Sequence, residues 1–241
     1  MIKTKKLTSK IITLYPEIFP GPLSASVTGR ALRNNIWNLE TIDLRAFGKG
    51  KHKKVDDKPA SGGAGMVIKP DVLDAALKHS LKSKKKKRSS KILYMSPKGK
   101  QFNQKYAEAL TLFDEIIIIC GRFEGIDERV LINNDIEEIS VGDYVLSGGE
   151  LAAMTLLDCV VRLLPGTLGN PHSLEKESFF DGLLEAPHFT KPILWNGLNV
   201  PKILLSGDHE KINEWKKKAS EKETEKKRPD LYIKYIEKKK K

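Results

Sequence analysis

Two glycine-rich stretches in this chain have the residue types and spacing to cradle a small ligand. They are Cys120-Gly121-Arg122-Phe123-Glu124-Gly125-Ile126-Asp127-Glu128-Arg129 and Ser140-Val141-Gly142-Asp143-Tyr144-Val145-Leu146-Ser147-Gly148-Gly149-Glu150. Glycine lets backbone amides approach a ligand closely, because no Cβ intervenes. Each stretch follows a strongly β-like segment, Glu115–Cys120 and Ile136–Val141, and each opens into a helical run. Glycine-rich turns at the carboxyl ends of parallel strands are where α/β proteins bind nucleotide-like ligands. Two such turns, one βα unit apart, predict one ligand held between neighbouring loops. Taken singly, the glycines read equally as ordinary turns, and Glu124 as half of a surface ion pair.

The elements that must position these loops alternate along the chain. Lys10–Tyr15 reads as a buried strand stopped by Pro16, a helix follows over Leu23–Trp37, and Thr41–Leu44 reads as the next strand. Arg45–Gly65 is a long polar loop rich in lysine, and loops of that length are functional or disordered. Pro70-Asp71 opens a helix with proline and an acid in its first turn; its apolar face is Val72, Leu73, Ala76, Leu77 and Leu81. The basic run Lys84–Arg88 leads to a strand at Lys91–Met95. Ser96-Pro97-Lys98-Gly99 reads as a turn, Gln101–Phe113 as a helix, and Glu150–Leu164 as a long apolar helix ended by Pro165-Gly166. This alternation predicts an α/β fold, a mostly parallel sheet with helices on both faces. The predicted division is a sheet domain over 1–166, a linker or lid over 167–181 and a small helical unit over 182–241. That last unit takes its helices from Asp208–Ala219 and from Pro229 onward.

Lysine and arginine number 43 against 31 acidic residues, a formal net charge of +12, and the pI is about 9.5. Such a balance points to a polyanionic partner, although Lys84–Arg88 and Lys238–Lys241 read equally as solvated charge. The two cysteines, Cys120 and Cys159, sit in apolar segments with no CxxC or histidine partner. That argues against a metal site or a disulfide framework and for a reducing compartment. The longest apolar run near a terminus, Ile11–Tyr15, is too short for a signal-peptide core or a membrane span. A cytoplasmic protein is expected. No G-x-G-x-x-G follows the first strand, which argues against a dinucleotide-dependent oxidoreductase.

Further segments join the two glycine-rich stretches in a fixed order: Leu14-Tyr15-Pro16-Glu17, Val27-Thr28-Gly29-Arg30-Ala31, Val55-Asp56-Asp57-Lys58-Pro59, Gly62-Gly63-Ala64-Gly65-Met66, Ser96-Pro97-Lys98-Gly99 and Leu204-Leu205-Ser206-Gly207-Asp208-His209. Together they resemble the bacterial tRNA (guanine-N1)-methyltransferases of the SPOUT, or α/β-knot, superfamily, over nearly the whole chain. The resemblance implies methyl transfer from S-adenosylmethionine to N1 of guanosine 37, beside the anticodon. It implies a deep trefoil knot in the sheet domain and a homodimer whose active sites are shared between subunits. The implied partner is the anticodon stem-loop of tRNA, with no DNA and no membrane. Magnesium is associated with the family's activity, and no residue here is assigned to a metal.

The resemblance also assigns residues. The cofactor loops match Tyr94, Ser96 and Pro97, then Gly121 and Glu124, then Ser140, Val141, Gly142, Tyr144, Leu146, Gly148 and Gly149, with Glu124 the carboxylate for the cofactor's amino end. Ala152 stands where relatives often carry proline. N1 of guanine carries a proton at neutral pH, so a general base must remove it, a contribution of ~10²–10⁴-fold in rate. The base position falls on Glu177, where many relatives place aspartate; Glu175 competes two residues upstream. Arg162 matches the cation that steadies charge on O6, and an i,i+4 pair with Asp158 is its plain alternative. On the tRNA side the pattern points to Asp57, Gly63 and Lys216, within the Lys49–Lys58 loop, the Ser61–Met66 turn and the C-terminal helices. Two rivals stand beside this reading: a SPOUT methyltransferase acting on another RNA or on a ribose hydroxyl, and an RNA-binding protein without catalysis.

Overall fold

The structure, a computed structural model, describes residues 6–82, 89–170, 174 and 177–240. The basic run Lys84–Arg88 and the competing carboxylate Glu175 lie outside the described residues. The chain divides into two compact units, Met1–Gly169 and Asn170–Lys241.

The first unit is built on a five-stranded sheet. Its strands are β1 (Leu7–Thr13), β2 (Trp37–Asp43), β5 (Ser90–Gln101), β6 (Glu115–Cys120) and β7 (Glu137–Ser140), in the spatial order β2-β1-β6-β5-β7. Every pairing in this sheet is parallel. A short antiparallel pair, β3 (Asp56–Asp57) and β4 (Val67–Ile68), lies outside it. The run of four isoleucines in β6 explains why this strand is central. β-Branched residues favour extended backbone, and an unbroken apolar run suits a strand covered on both faces. Ile116 and Ile118 join one core cluster, with residues of α1 (Ser26–Arg33), α3 (Gln104–Leu110) and α5 (Glu150–Val161). Ile117 and Ile119 join the other, with α2 (Pro70–Lys82) and α4 (Glu128–Asn133). Helices therefore cover both faces. Between β1 and β6 the side chains of Lys10 and Glu115 form a 2.7 Å ion pair, each only 2% exposed, and Lys10 also donates to Ser80 O at 2.6 Å.

Three local expectations shift. Ser96–Gly99 is not a turn that ends a strand. It is an irregularity inside β5, where the register against β7 slips between Met95 and Lys100. Ser96 Oγ accepts from Lys98 N at 3.2 Å, which closes the bulge locally. The helix expected over Leu23–Trp37 is shorter, a 3-10 turn Gly21–Ser24 followed by α1. Trp37 instead opens β2, fully buried, its Nε1 donating to Thr28 O at 3.0 Å. The helix expected to stop at Ala219 runs on: α6 spans His209–Lys227, capped by Asp208 through Lys211 N.

In the second unit α6 packs on α7 (Pro229–Lys239). A small hairpin of β8 (Leu194–Trp195) and β9 (Leu198–Asn199) turns through Asn196-Gly197, both at positive φ. Thr224 is fully buried, and its hydroxyl accepts from Leu184 N at 2.8 Å, tying α6 to the chain before the hairpin. Among the described residues no helix is long and apolar enough to cross a membrane.

Candidate active site

The site forms where the carboxyl ends of β5, β6 and β7 meet the start of α5. The twelve residues that the resemblance assigns to the cofactor (Tyr94 to Gly149) all line one cavity of about 310 Å³. That volume lies at the small end of the ~300–1,000 Å³ of ligand pockets. Three loops make the walls: the β5 bulge, the Gly121–Ile126 turn and the Ser140–Gly149 loop.

Glycine is required at the seams. A Cβ on Gly121 would lie 2.7 Å from Tyr94 Oη, and one on Gly149 would lie 2.8 Å from Cys120 Cα. Gly149 N donates to Gly121 O at 3.0 Å, so the second loop is laced to the first by backbone. Ser140 Oγ donates to Gly142 O at 3.0 Å and accepts from Gly142 N at 3.2 Å, which fixes the entry to the loop. Phe123 sits at φ 60, a left-handed backbone that costs about 1–2 kcal/mol for a side-chain-bearing residue. Strain of this kind persists where the surroundings over-determine it.

The cavity's electrostatics follow from burial. Tyr94 is 8% exposed, and burial pushes its phenol up to about 12, with Glu138 adding in the same direction. It is a neutral hydrogen-bonding wall at any ordinary pH. Cys120 is buried, and burial pushes its thiol well up. It is a packing residue and not a nucleophile. Glu124 offers a carboxylate to the cavity. Its backbone N–H donates to Met66 O at 2.9 Å, and Asp127 N donates to Ile68 O at 3.3 Å. These bonds dock the Gly62–Met66 turn against the cavity's rim. Gly63, at φ 98 with open space around it, lies in that turn. Asp57 lies in β3, which pairs with β4. Its carboxylate accepts from Lys54 Nζ and Lys58 N, both at 3.0 Å, and the Lys54 bond holds it below the usual carboxylate range.

The two residues assigned to catalysis belong to different units. Arg162 caps α5, its N–H donating to Asp158 O at 3.3 Å. Glu177 belongs to the second unit, where Phe180 N donates to its carbonyl at 3.3 Å. It lines a separate cavity of about 510 Å³, together with Lys216, Lys217 and Asn213 of α6. Glu177 and Lys216 are thus brought to one cavity, within a single unit.

A further group escaped the sequence reading. Arg122, inside the first glycine-rich stretch, pairs with Glu150 at 2.9 Å and donates to Ser147 O at 3.0 Å. Its only signal in the sequence is a cation flanked by glycines. Its partner Glu150 is 137 residues from Thr13 at the end of β1, and nothing in the spacing forecasts their contact at 2.7 Å.

A parallel sheet with a glycine-laced cavity at its strand ends is the architecture in which α/β proteins bind nucleotide-like ligands. The family follows from comparison with known proteins. The family model for tRNA (Guanine-1)-methyltransferase TrmD matches residues 7–234. A protein of Jannaschia sp. (strain CCS1), described as tRNA (guanine-N(1)-)-methyltransferase, is 52% identical over 237 residues, covering 98% of this chain and 96% of that one. Proteins of the same description from Ruegeria sp. (strain TM1040) and Ehrlichia canis (strain Jake) are each 51% identical, over 94% and 93% of this chain and 92% and 95% of their own lengths. The chain belongs to this family of methyltransferases.

Proposed function

We infer that this chain transfers a methyl group from S-adenosylmethionine to N1 of guanosine 37 in tRNA. The observation that carries the reading is the convergence of Tyr94, Ser96, Pro97, Glu124 and the 140–149 loop on one glycine-lined cavity. The cradle fits the cofactor's chemistry. Backbone amides and apolar walls suit an adenine, the Glu124 carboxylate suits a cationic amino group, and the seams exclude any side chain that would fill the space. When bound, the cofactor supplies an electrophilic methyl on sulfur.

The chain's own residues do the rest. Glu177 takes the proton from N1 as a general base, and Arg162 steadies the negative charge that develops on O6. On the family likeness, we propose that each active site is completed across a homodimer, Arg162 coming from one protomer and Glu177 from its partner. The exposed apolar side chains around the cavity support such pairing: Val145 is 88% exposed, Leu151 57% and Phe123 54%. We further propose, on the family likeness alone, the deep trefoil knot of the superfamily in the sheet domain. The net charge of +12 supports a polyanionic substrate. The anticodon stem-loop would be gripped by the basic loop around Asp57, the Gly63 turn and the second unit with Lys216. Magnesium is carried over from the family alone. The expected setting is the cytoplasm, where tRNA is found.

The test is methyl placement. Purified protein, unmodified tRNA bearing guanosine 37 and S-adenosylmethionine should give a primer-extension stop at position 37, because an N1 methyl blocks pairing. Methyl incorporation without that stop would point to a ribose or another base. Mixing an Arg162→Ala chain with a Glu177→Ala chain should regain part of the activity; no recovery would remove the shared site.

A further inference from the structure

The guanidinium of Arg122 sits at the centre of a closed circuit. One nitrogen, Nη2, pairs with Glu150 Oε2 at 2.9 Å. Another, Nη1, donates to Ser147 O at 3.0 Å. Its Cζ lies over the Tyr15 ring, 4.4 Å from the centroid. Glu150 is 2% exposed and accepts from Thr13 Oγ1 at 2.7 Å through its other oxygen. Thr13 Oγ1 in turn accepts from Tyr15 N at 2.9 Å. The circuit therefore joins the end of β1, the turn after β6 and the first residue of α5.

Its output is the 142–149 loop. The Ser147 carbonyl is fixed by Arg122, and Gly148 packs so closely that a Cβ there would lie 2.3 Å from Arg122 Nε. Glu150, hydrogen-bonded through Oε1 to Thr13 and in ion-pair contact with Arg122 through Oε2, sets the start of α5. The circuit also extends outward. Arg45 lies 5.3 Å from the same Tyr15 ring and donates to Leu14 O. Arg45 heads the segment that carries the Lys49–Lys58 basic loop.

We propose that Arg122 is a positioning residue that holds the 142–149 loop in its ligand-ready form by gripping the Ser147 carbonyl and Glu150 while stacked on Tyr15. The ligand in question is S-adenosylmethionine, so the inference rests on the functional reading above. Three features of the guanidinium are used together: the charge for Glu150, the fork that reaches a second acceptor, and the flat face for Tyr15. Lysine supplies only the first, because its ammonium is a compact point charge.

The variant that tests this is Arg122→Lys. It leaves a cation beside the buried carboxylate and so avoids an unpaired charge in the core, which is severely destabilising. Two measurements separate the outcomes. The first needs no ligand: hydrogen exchange at the Ser147, Gly148 and Gly149 amides should accelerate at least about tenfold in Arg122→Lys, as for a lost charge-assisted hydrogen bond. The second is calorimetric titration with S-adenosylmethionine. Arg122→Lys should raise Kd by roughly tenfold or more with the number of sites unchanged. Tyr15→Phe should keep wild-type affinity, since it keeps the ring, and Tyr15→Leu should fall between the two. Unchanged exchange, or sites lost at an unchanged Kd, overturns the proposal, because the second pattern is that of misfolding alone. A wild-type protein that fails to bind S-adenosylmethionine overturns the cofactor reading, while accelerated exchange in Arg122→Lys would still establish the grip on the loop.

Discussion

Gly149→Ala is the perturbation whose size follows most directly from the structure. Gly149 has ordinary backbone angles, φ −78 and ψ −9, so alanine meets no conformational penalty there. The obstacle is space. The new methyl would lie 2.8 Å from Cys120 Cα, 3.1 Å from Gly121 N and 3.2 Å from Met95 Cβ. Carbon atoms pack at about 3.5–4.0 Å, so the start of α5 must retreat from β6 by at least about 0.7 Å. None of the obstructing atoms is the end of a flexible side chain. Overpacking of this kind costs about 1–3 kcal/mol. For a chain of this size that lowers Tm by about 2–12 °C. The retreat also stretches the bond from Gly149 N to Gly121 O, which closes the seam of the cavity. Losing one or two such bonds at the ligand weakens S-adenosylmethionine by roughly 5–30-fold. Thermal melts and calorimetric titration read both effects. Gly169→Ala is the control, since a Cβ there meets nothing within 4 Å. A Gly149→Ala protein with wild-type Tm and Kd would refute the packing that makes this glycine obligatory.

The remaining predictions address the core, the cavity wall and the substrate. Lys10→Met should cost about 3–5 kcal/mol in urea unfolding, because it strands the Glu115 carboxylate in the core, whereas Lys10→Met/Glu115→Leu should recover most of the loss; equal losses in the two would show that the pair is not coupled. Tyr94 titrates with a raised value, so its neutral form is favoured by folding: the stability it adds is complete below its ordinary value of 10.0 and is lost as pH rises towards about 12. Unfolding measured across that window should flatten by up to about 1.4 kcal/mol per pH unit in Tyr94→Phe; Tyr106 and Tyr235 shift in the same direction and supply the slope that remains. Affinity for tRNA should fall steeply and log-linearly with salt, as for any binder that displaces counterions from phosphates; a flat profile between 50 and 200 mM salt would remove the polyanion reading.

Much of the first unit was legible in residue order. The isoleucine run of β6 announces a strand buried on both faces, and Pro70-Asp71 announces the start of α2 at its observed residue. The glycine-rich stretches mark the cavity because close approach of backbone to ligand leaves few other residues possible. What was not legible depends on contacts distant in sequence. Trp37 looks like the end of an amphipathic helix until its indole is seen bonded to Thr28 O, which places it on β2. Ser96–Gly99 has the composition of a turn, but its place beside β7 makes it a bulge within one strand. Asn196-Gly197 between Leu194-Trp195 and Leu198 is a hairpin signal, and it forms a hairpin inside a unit expected to be helical. The Arg122–Glu150–Thr13 circuit joins the ends of two strands to the start of a helix, and no local pattern encodes it.

The role given to Glu177 is where the chemistry stands or falls. Glutamine there keeps the size and loses the basicity, so Glu177→Gln separates proton removal from shape. In single-turnover assays with saturating tRNA and S-adenosylmethionine, the methyl-transfer rate should drop by about 10²–10⁴-fold while tRNA affinity holds. A Glu177→Gln protein that methylates at the wild-type rate would contradict the account.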